Sequence, residues 1–206
     1  MRDIVNPWRL FAFNDDGGTV ICSYPEKCKK PKIPILYSEE VMSGFEYAFA
    51  GILAIYGFID ESLGVVRIAR KRYDGEKRNP WNDSECGNYY ARSMSSYALI
   101  SIYSGFSADL PRKHYGFIPR ANERPFRSIF SMGTGWGEFT VADNSVKILL
   151  KSGYIAVSSI SIPEGYRVLR LIVDGNRTPY KQHNNTIFFD ACAKEEILFE
   201  VLKNEA

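Results

Sequence analysis

Ser38-Glu39-Glu40-Val41-Met42-Ser43-Gly44-Phe45-Glu46-Tyr47-Ala48-Phe49-Ala50-Gly51-Ile52-Leu53-Ala54-Ile55-Tyr56 is the stretch on which the fold reading turns. Ser38 is a good N-cap, and Glu39 and Glu40 suit the positive end of a helix dipole, so a helix is expected to begin here. Val41, Phe45, Ala48, Ile52 and Ile55 recur at three- to four-residue steps, the period of an α-helix. Gly44 and Gly51 each cost about 1 kcal/mol relative to Ala, a loss that close packing offsets. The run is apolar on most sides, which predicts burial among neighbouring elements rather than a place on the surface.

Upstream, residues 1–38 read as an extended lead-in. Asp15-Asp16-Gly17-Gly18 is a turn signal between Leu10-Phe11-Ala12-Phe13 and Thr19-Val20-Ile21-Cys22, and Pro25, Pro31 and Pro34 forbid a long helix. Downstream, a second helix fits Asp60 to Tyr73, with Leu63, Val66 and Ala69 or Arg70 on one stripe and a stop at Gly75. Its cations Arg67, Arg70, Lys71 and Arg72 read as a solvated helix end. A third helix fits Asn88 to Tyr103, with Tyr90, Met94, Tyr97, Ala98 and Ile102 on one face and Gly105 closing it. Residues 39–106 therefore read as a three-helix segment.

Residues 107–128, rich in Pro, Arg and Gly, read as a linker or long loop. From 129 to 206 the pattern changes to period two with regular turns, the mark of a small β-sandwich-like unit. Phe139-Thr140-Val141 and Val146-Lys147-Ile148-Leu149-Leu150 flank the turn Asp143-Asn144-Ser145. Further strands are expected at Ile155 to Ile162, Arg167 to Val173, Thr186 to Phe189 and Ile197 to Leu202. The fold class expected is α+β, helices first and an antiparallel β unit after them.

Composition narrows the function. With Lys+Arg 26 and Asp+Glu 24 in 206 residues the net charge is +2, which offers no electrostatic footprint for nucleic acid. No stretch approaches the ~20 apolar residues of a membrane span, and the N-terminus lacks the pattern of a secretory leader, so a cytoplasmic location is expected. Of the four cysteines, Cys22, Cys28, Cys86 and Cys192, the first two are six apart, too far for a zinc-knuckle spacing, and have no histidine near them. No metal and no cofactor is implied. They read as structural thiols, with a Cys22–Cys28 disulfide as the alternative. His114 and His183 stand apart from any Ser or Asp partner in a catalytic motif. Gly133-Thr134-Gly135-Trp136-Gly137 lacks the strand-to-helix context of a dinucleotide loop and reads as a tight turn with a packed Trp.

The densest chemistry lies in Arg78-Asn79-Pro80-Trp81-Asn82-Asp83-Ser84-Glu85-Cys86-Gly87-Asn88-Tyr89-Tyr90-Ala91-Arg92. Trp81 and Tyr89 can stack on the C–H face of a pyranose. Asp83, Glu85 and Arg92 offer the carboxylates and guanidinium that bind its hydroxyls. Helix caps and local ion pairs use the same residue types.

This stretch, together with Glu40 to Ala48, Arg72-Tyr73-Asp74-Gly75, Tyr90-Ala91-Arg92-Ser93-Met94, Leu99 through Ser104-Gly105-Phe106 and Ser131 to Phe139, resembles the C-terminal end of the catalytic region of glycoside hydrolase family 116. That family includes β-glucosidases and non-lysosomal glucosylceramidases. The likeness runs in the same order over most of the chain and is strongest at 38–106. It implies that the helices are the last ones of an (α/α)6 barrel and that 129–206 is a small antiparallel β unit. It also implies retaining hydrolysis by a Glu nucleophile and an Asp acid/base, both lying upstream of the region matched here. The chain is then expected to carry no catalytic residue. Glu85 and Arg92, with Trp81 and Asp83 beside them, are its candidate substrate-binding residues. The expected ligand is a β-glucoside or related sugar, bound once upstream helices complete the site. A partner subunit or self-association through exposed helix faces is the other expected partnership. A non-catalytic carbohydrate-binding module and a structural or interaction module are the alternatives. Asp83 and Glu85 lie two apart in one loop and approach from the same wall, whereas retaining chemistry needs carboxyls about 5–5.5 Å apart on opposite sides of the bond. No glycosidase activity is therefore expected of the isolated chain.

Overall fold

A computed structural model of the chain describes residues 15–32, 38, 40–81, 92–121 and 123–203. It divides into two compact units, Met1–Leu99 and Ile100–Ala206. Helices α1 (Ser43–Ile55) and α2 (Ile59–Lys71) form a packed pair in the first unit. A 3-10 turn follows at Arg92–Ser96, and α3 (Tyr97–Ser104) crosses the division. Gly57, with φ of 87°, turns the chain between α1 and α2, a conformation that suits glycine. The two helices meet through small side chains. Ala50, Ala54, Val65 and Ala69 are buried, and the buried Ser62 hydroxyl donates to the Ala50 carbonyl at 2.6 Å.

α1 begins four residues later than the Ser38 cap predicts, because the chain before it is used for pairing. Ile21 N–H donates to the Glu40 carbonyl, and Val20 and Val41 form an antiparallel bridge. The expected hairpin partner of Thr19 to Cys22, Leu10 to Phe13, lies outside the described residues. α1 is also oriented against expectation. Its buried side holds Ser43, Gly44, Glu46, Tyr47, Ala50, Gly51 and Ala54. Phe45, Phe49, Ile52, Ile55 and Tyr56 are instead 41–76% exposed.

The second unit is a β-sandwich. One sheet has the order β1 (Phe106–Asp109), β2 (His114–Phe117), β6 (Ile155–Ser161), β10 (Thr186–Ala193), β9 (Lys181–His183). The other has the order β3 (Phe126–Met132), β4 (Gly135–Val141), β5 (Ser145–Gly153), β11 (Glu196–Lys203), β7 (Tyr166–Val173), β8 (Asn176–Arg177). Alternation along the strands sends one set of side chains inward from each sheet. Phe117 of β2 meets Phe130 and Phe139 of the opposite sheet edge-on, with centroids 5.8 and 5.1 Å away, and Phe189 meets Phe199 at 6.1 Å. Ile148, Ile155, Ile160, Leu171, Ile187 and Ile197 fill the space between these rings.

The helical-barrel expectation is overturned. Among the described residues 41% are in strands and 22% are helical, with three α-helices and two sheets of five and six strands. α1 and α2 have 13 residues each and α3 has 8, so the β portion dominates rather than trails. The main reason is the segment 107–128, expected as a linker. It carries most of β1, all of β2 and the start of β3. Its Pro, Arg and Gly residues mark turns between strands rather than a spacer. Gly116 lies under Ser107, where an added Cβ would come within 2.5 Å of the serine hydroxyl. The β unit is not wholly antiparallel either, since β2 and β6 run parallel, with His114 opposite Ser159 and Gly116 opposite Ser161.

One carboxylate ties the tips of the second sheet together. Asp174, in the turn after β7 with φ of 45°, accepts the N–H groups of Lys194, Glu195 and Glu196 at 2.8–2.9 Å. Burial disfavours its charge, but these three donors outweigh that and hold its carboxyl below the ordinary range. A lowered folded pKa gives stability that is present above the unfolded value near 3.8 and lost as pH falls through the folded one. Asp174→Asn keeps the backbone preference for positive φ but removes the charge and one of the two acceptor oxygens. Urea unfolding at pH 7 is expected to show a loss of about 1–3 kcal/mol. The difference from the natural chain should shrink as pH is lowered below about 4.

Candidate functional site

The loop that carries the motif leaves the first unit through a set of anchors, and they begin at a buried ion pair. Glu46 is the one charged residue between Val41 and Ile59. Its carboxylate, 1% exposed, binds the Arg72 guanidinium, 3% exposed, through both oxygens. Glu46 Oε1 also accepts the Thr19 N–H at 2.9 Å, and Arg72 donates to the Gly17 carbonyl at 2.9 Å. Burial opposes the Arg72 charge, but the Glu46 bond and field more than offset this and raise its pKa. An added Cβ on Gly18 would meet Val41 at 2.5 Å and both charged groups at 2.9 Å, so only glycine lets the backbone lie this close.

Asp15-Asp16-Gly17-Gly18 is therefore a clasp over the helix pair. Arg72, expected on a solvated face, is its buried centre. The loop after α2 closes on the same clasp. Arg78 donates to the Arg72 carbonyl at 3.1 Å and to Asp16 at 2.6 Å, and lies over the Tyr73 ring. Lys77 pairs with Asp15. Asp74 accepts the Glu76 and Lys77 N–H groups at 2.9 and 2.8 Å, and these bonds, more than any other influence, lower its carboxyl pKa. The Gly75 N–H returns to the Arg78 carbonyl at 3.1 Å.

Out of this fixed turn the chain presents Trp81, 92% exposed, its N–H capped by the Asn79 side chain at 2.9 Å. Asp83 and Glu85 lie outside the described residues, as do Tyr89, Cys86 and the Arg92 side chain. The Arg92 backbone opens the 3-10 turn, which is fastened to α1 where the Ser95 hydroxyl donates to the Gly44 carbonyl at 3.0 Å. Of the four expected binding residues, the described structure thus places Trp81 in full and Arg92 by its backbone. Both ends of the motif are held on the helix pair. Sequence reading missed the anchors, although a lone Glu in an apolar helix and an Asp-Asp-Gly-Gly run are signals of such a buried pair and close approach.

Other polar groups have bland assignments. His114 Nδ1 and the Ser159 hydroxyl lie 2.8 Å apart, and Asp109 is opposite His114 in the ladder. The Asp109 carboxylate is engaged by Arg112 at 2.7 Å, and Ser159 sits 8% exposed within β6. The trio therefore braces a sheet rather than presenting a nucleophile. Cys28 is an exposed free thiol, so no Cys22–Cys28 disulfide forms. Among the described residues no three His, Cys, Asp or Glu side chains stand together to hold a metal. No helix among them is long and apolar enough to cross a membrane. Trp136, expected to be packed, is 53% exposed.

No protein-family model and no curated protein sequence matches the chain.

Removing one partner of a buried pair strands the other charge. Glu46→Gln is expected to cost about 3–5 kcal/mol in urea unfolding. The paired change Glu46→Leu with Arg72→Met should cost distinctly less, because no buried charge is left behind.

Proposed function

We propose that the chain is the C-terminal portion of a retaining β-glycosidase resembling family 116. In this reading it supplies sugar-binding groups and a docking face, while both catalytic carboxylates come from an upstream polypeptide. One observation above all supports it. α1 packs its small and polar side inward and leaves Phe45, Phe49, Ile52, Ile55 and Tyr56 exposed, a large apolar stripe of the kind that marks an interaction surface. Trp81 at the head of the motif, exposed and fixed through Asn79 and Arg78, adds the apolar half of a sugar contact.

The division of labour follows from the chemistry. Hydrolysis with retention needs a nucleophile and an acid/base across the scissile bond. This chain's part is to orient the sugar: Trp81 takes its C–H face, Glu85 and Asp83 accept hydrogen bonds from its hydroxyls, and Arg92 donates to its oxygens. A carbohydrate-binding module without hydrolysis is the second reading. The sandwich, with a core closed between its own two sheets, favours it.

Mixing the chain with a separately produced upstream catalytic polypeptide distinguishes the two. The chain alone should not turn over an aryl β-glucoside, and the mixture should. Phe49→Glu in α1 is expected to abolish the gain by placing a charge in the docking face. Glu85→Gln should still assemble but lower kcat/KM by about ten- to a hundredfold. Turnover by the isolated chain, or an inert mixture, would defeat the glycosidase reading.

A further inference from the structure

The glycine-rich tip of the β3–β4 hairpin holds a second exposed indole, in the other unit from Trp81. Trp136 of β4 stands opposite Ser131 of β3 on one side and Ser152 of β5 on the other. Directly paired residues share a face of the sheet, and both neighbours are too short to cover the ring. Two residues along β4, on the same face, Glu138 pairs with Lys151 at 3.0 Å, both side chains being about half exposed. Ile129 lies opposite Glu138 and is 60% exposed.

The backbone around Trp136 leaves little choice of position. A Cβ on Gly137 would fall 2.0 Å from the Leu149 carbonyl oxygen, one on Gly153 would fall 2.1 Å from that of Thr134, and one on Gly135 would fall 2.7 Å from that of Ser152. The β4–β5 register slips between Trp136 and Gly137, a bulge of the kind that re-aims side chains. Close-packed glycines and a bulge thus fix an indole that contributes little to the core.

We propose that this surface is a saccharide-binding platform. Trp136 stacks on the C–H face of a pyranose unit in a neutral glycan, while Ser131, Ser152, Glu138 and Lys151 exchange hydrogen bonds with its hydroxyls. The carboxylate and ammonium beside the indole pair with each other, which matches an uncharged, hydroxyl-rich ligand. The platform goes beyond the function proposed above and shares no residue with the Trp81 motif.

Native affinity electrophoresis of the full chain through gels containing laminarin, xylan or hydroxyethylcellulose tests it. The chain should be retarded by at least one of these neutral glycans. Trp136→Ala should weaken retardation about tenfold or more, Trp136→Tyr should keep part of it, and Phe188→Ala, which removes an exposed ring of β10 on the other sheet, should leave it unchanged. Thermal melts of each variant establish that the fold is retained. Migration unaffected by all three glycans, or retardation insensitive to Trp136→Ala, overturns the platform. So does a change in oligomeric state, read by sedimentation, as the only effect of Trp136→Ala, since the occupant is then a second copy. The reconstitution experiment reads the α1 face and Glu85, so the two proposals fail separately.

Discussion

A carboxylate and a guanidinium shut between two helices set the terms for the first unit. Glu46 and Arg72 are almost wholly buried, and a charge is tolerated there only when it is paired and its remaining hydrogen bonds are met. Thr19 and Gly17 meet them from the preceding segment. That requirement draws Asp15 to Val20 across the helices and forbids a side chain at Gly18. It also fixes the end of α2, from which Arg78 reaches back to Asp16 and carries the motif loop outward. One electrostatic demand thus places a segment, a helix end and a loop.

The same pair explains why α1 faces the way it does. A helix rich in Phe and Ile is ordinarily turned with those residues inward. Here the side bearing Glu46 must meet Arg72, and Phe45, Phe49, Ile52 and Tyr56 lie on the far side of the helix. An exposed apolar stripe on a helix with a charged inner face is an arrangement that association with another surface stabilises.

Much of the β unit was legible because period-two alternation and turn residues are local signals. The hairpin about Asp143-Asn144-Ser145 is found as β4 and β5, and the later strands fall within a few residues of their expected bounds. β1 and β2 were not legible. They are four residues each, rich in residues read as loop formers, and the pairing of β2 with β6 that ties them to the sheet is a long-range tertiary event. Their absence from the sequence reading made the helices look like the main body of the chain, and hence like a barrel's end. At the motif, residue types pointed to Trp81 as a sugar contact. The anchors beneath it join residues up to 62 apart, which periodicity does not detect. Trp136 was read from the glycines around it as packed, whereas those glycines bring backbone to backbone and leave the ring outside.

The parallel contact between β2 and β6 has a kinetic meaning. β3, β4 and β5 follow one another as a meander, so their ladders form from residues near in sequence. His114 and Ser159, by contrast, are brought together across 45 residues, all of the meander lying between them. Closing so long a loop costs chain entropy before any contact repays it. The three-stranded meander is therefore the natural early structure. β1 and β2 dock onto the first sheet only once β6 is in place, so the edge of that sheet stays open until then and is a surface at which a nascent chain is exposed to mispairing.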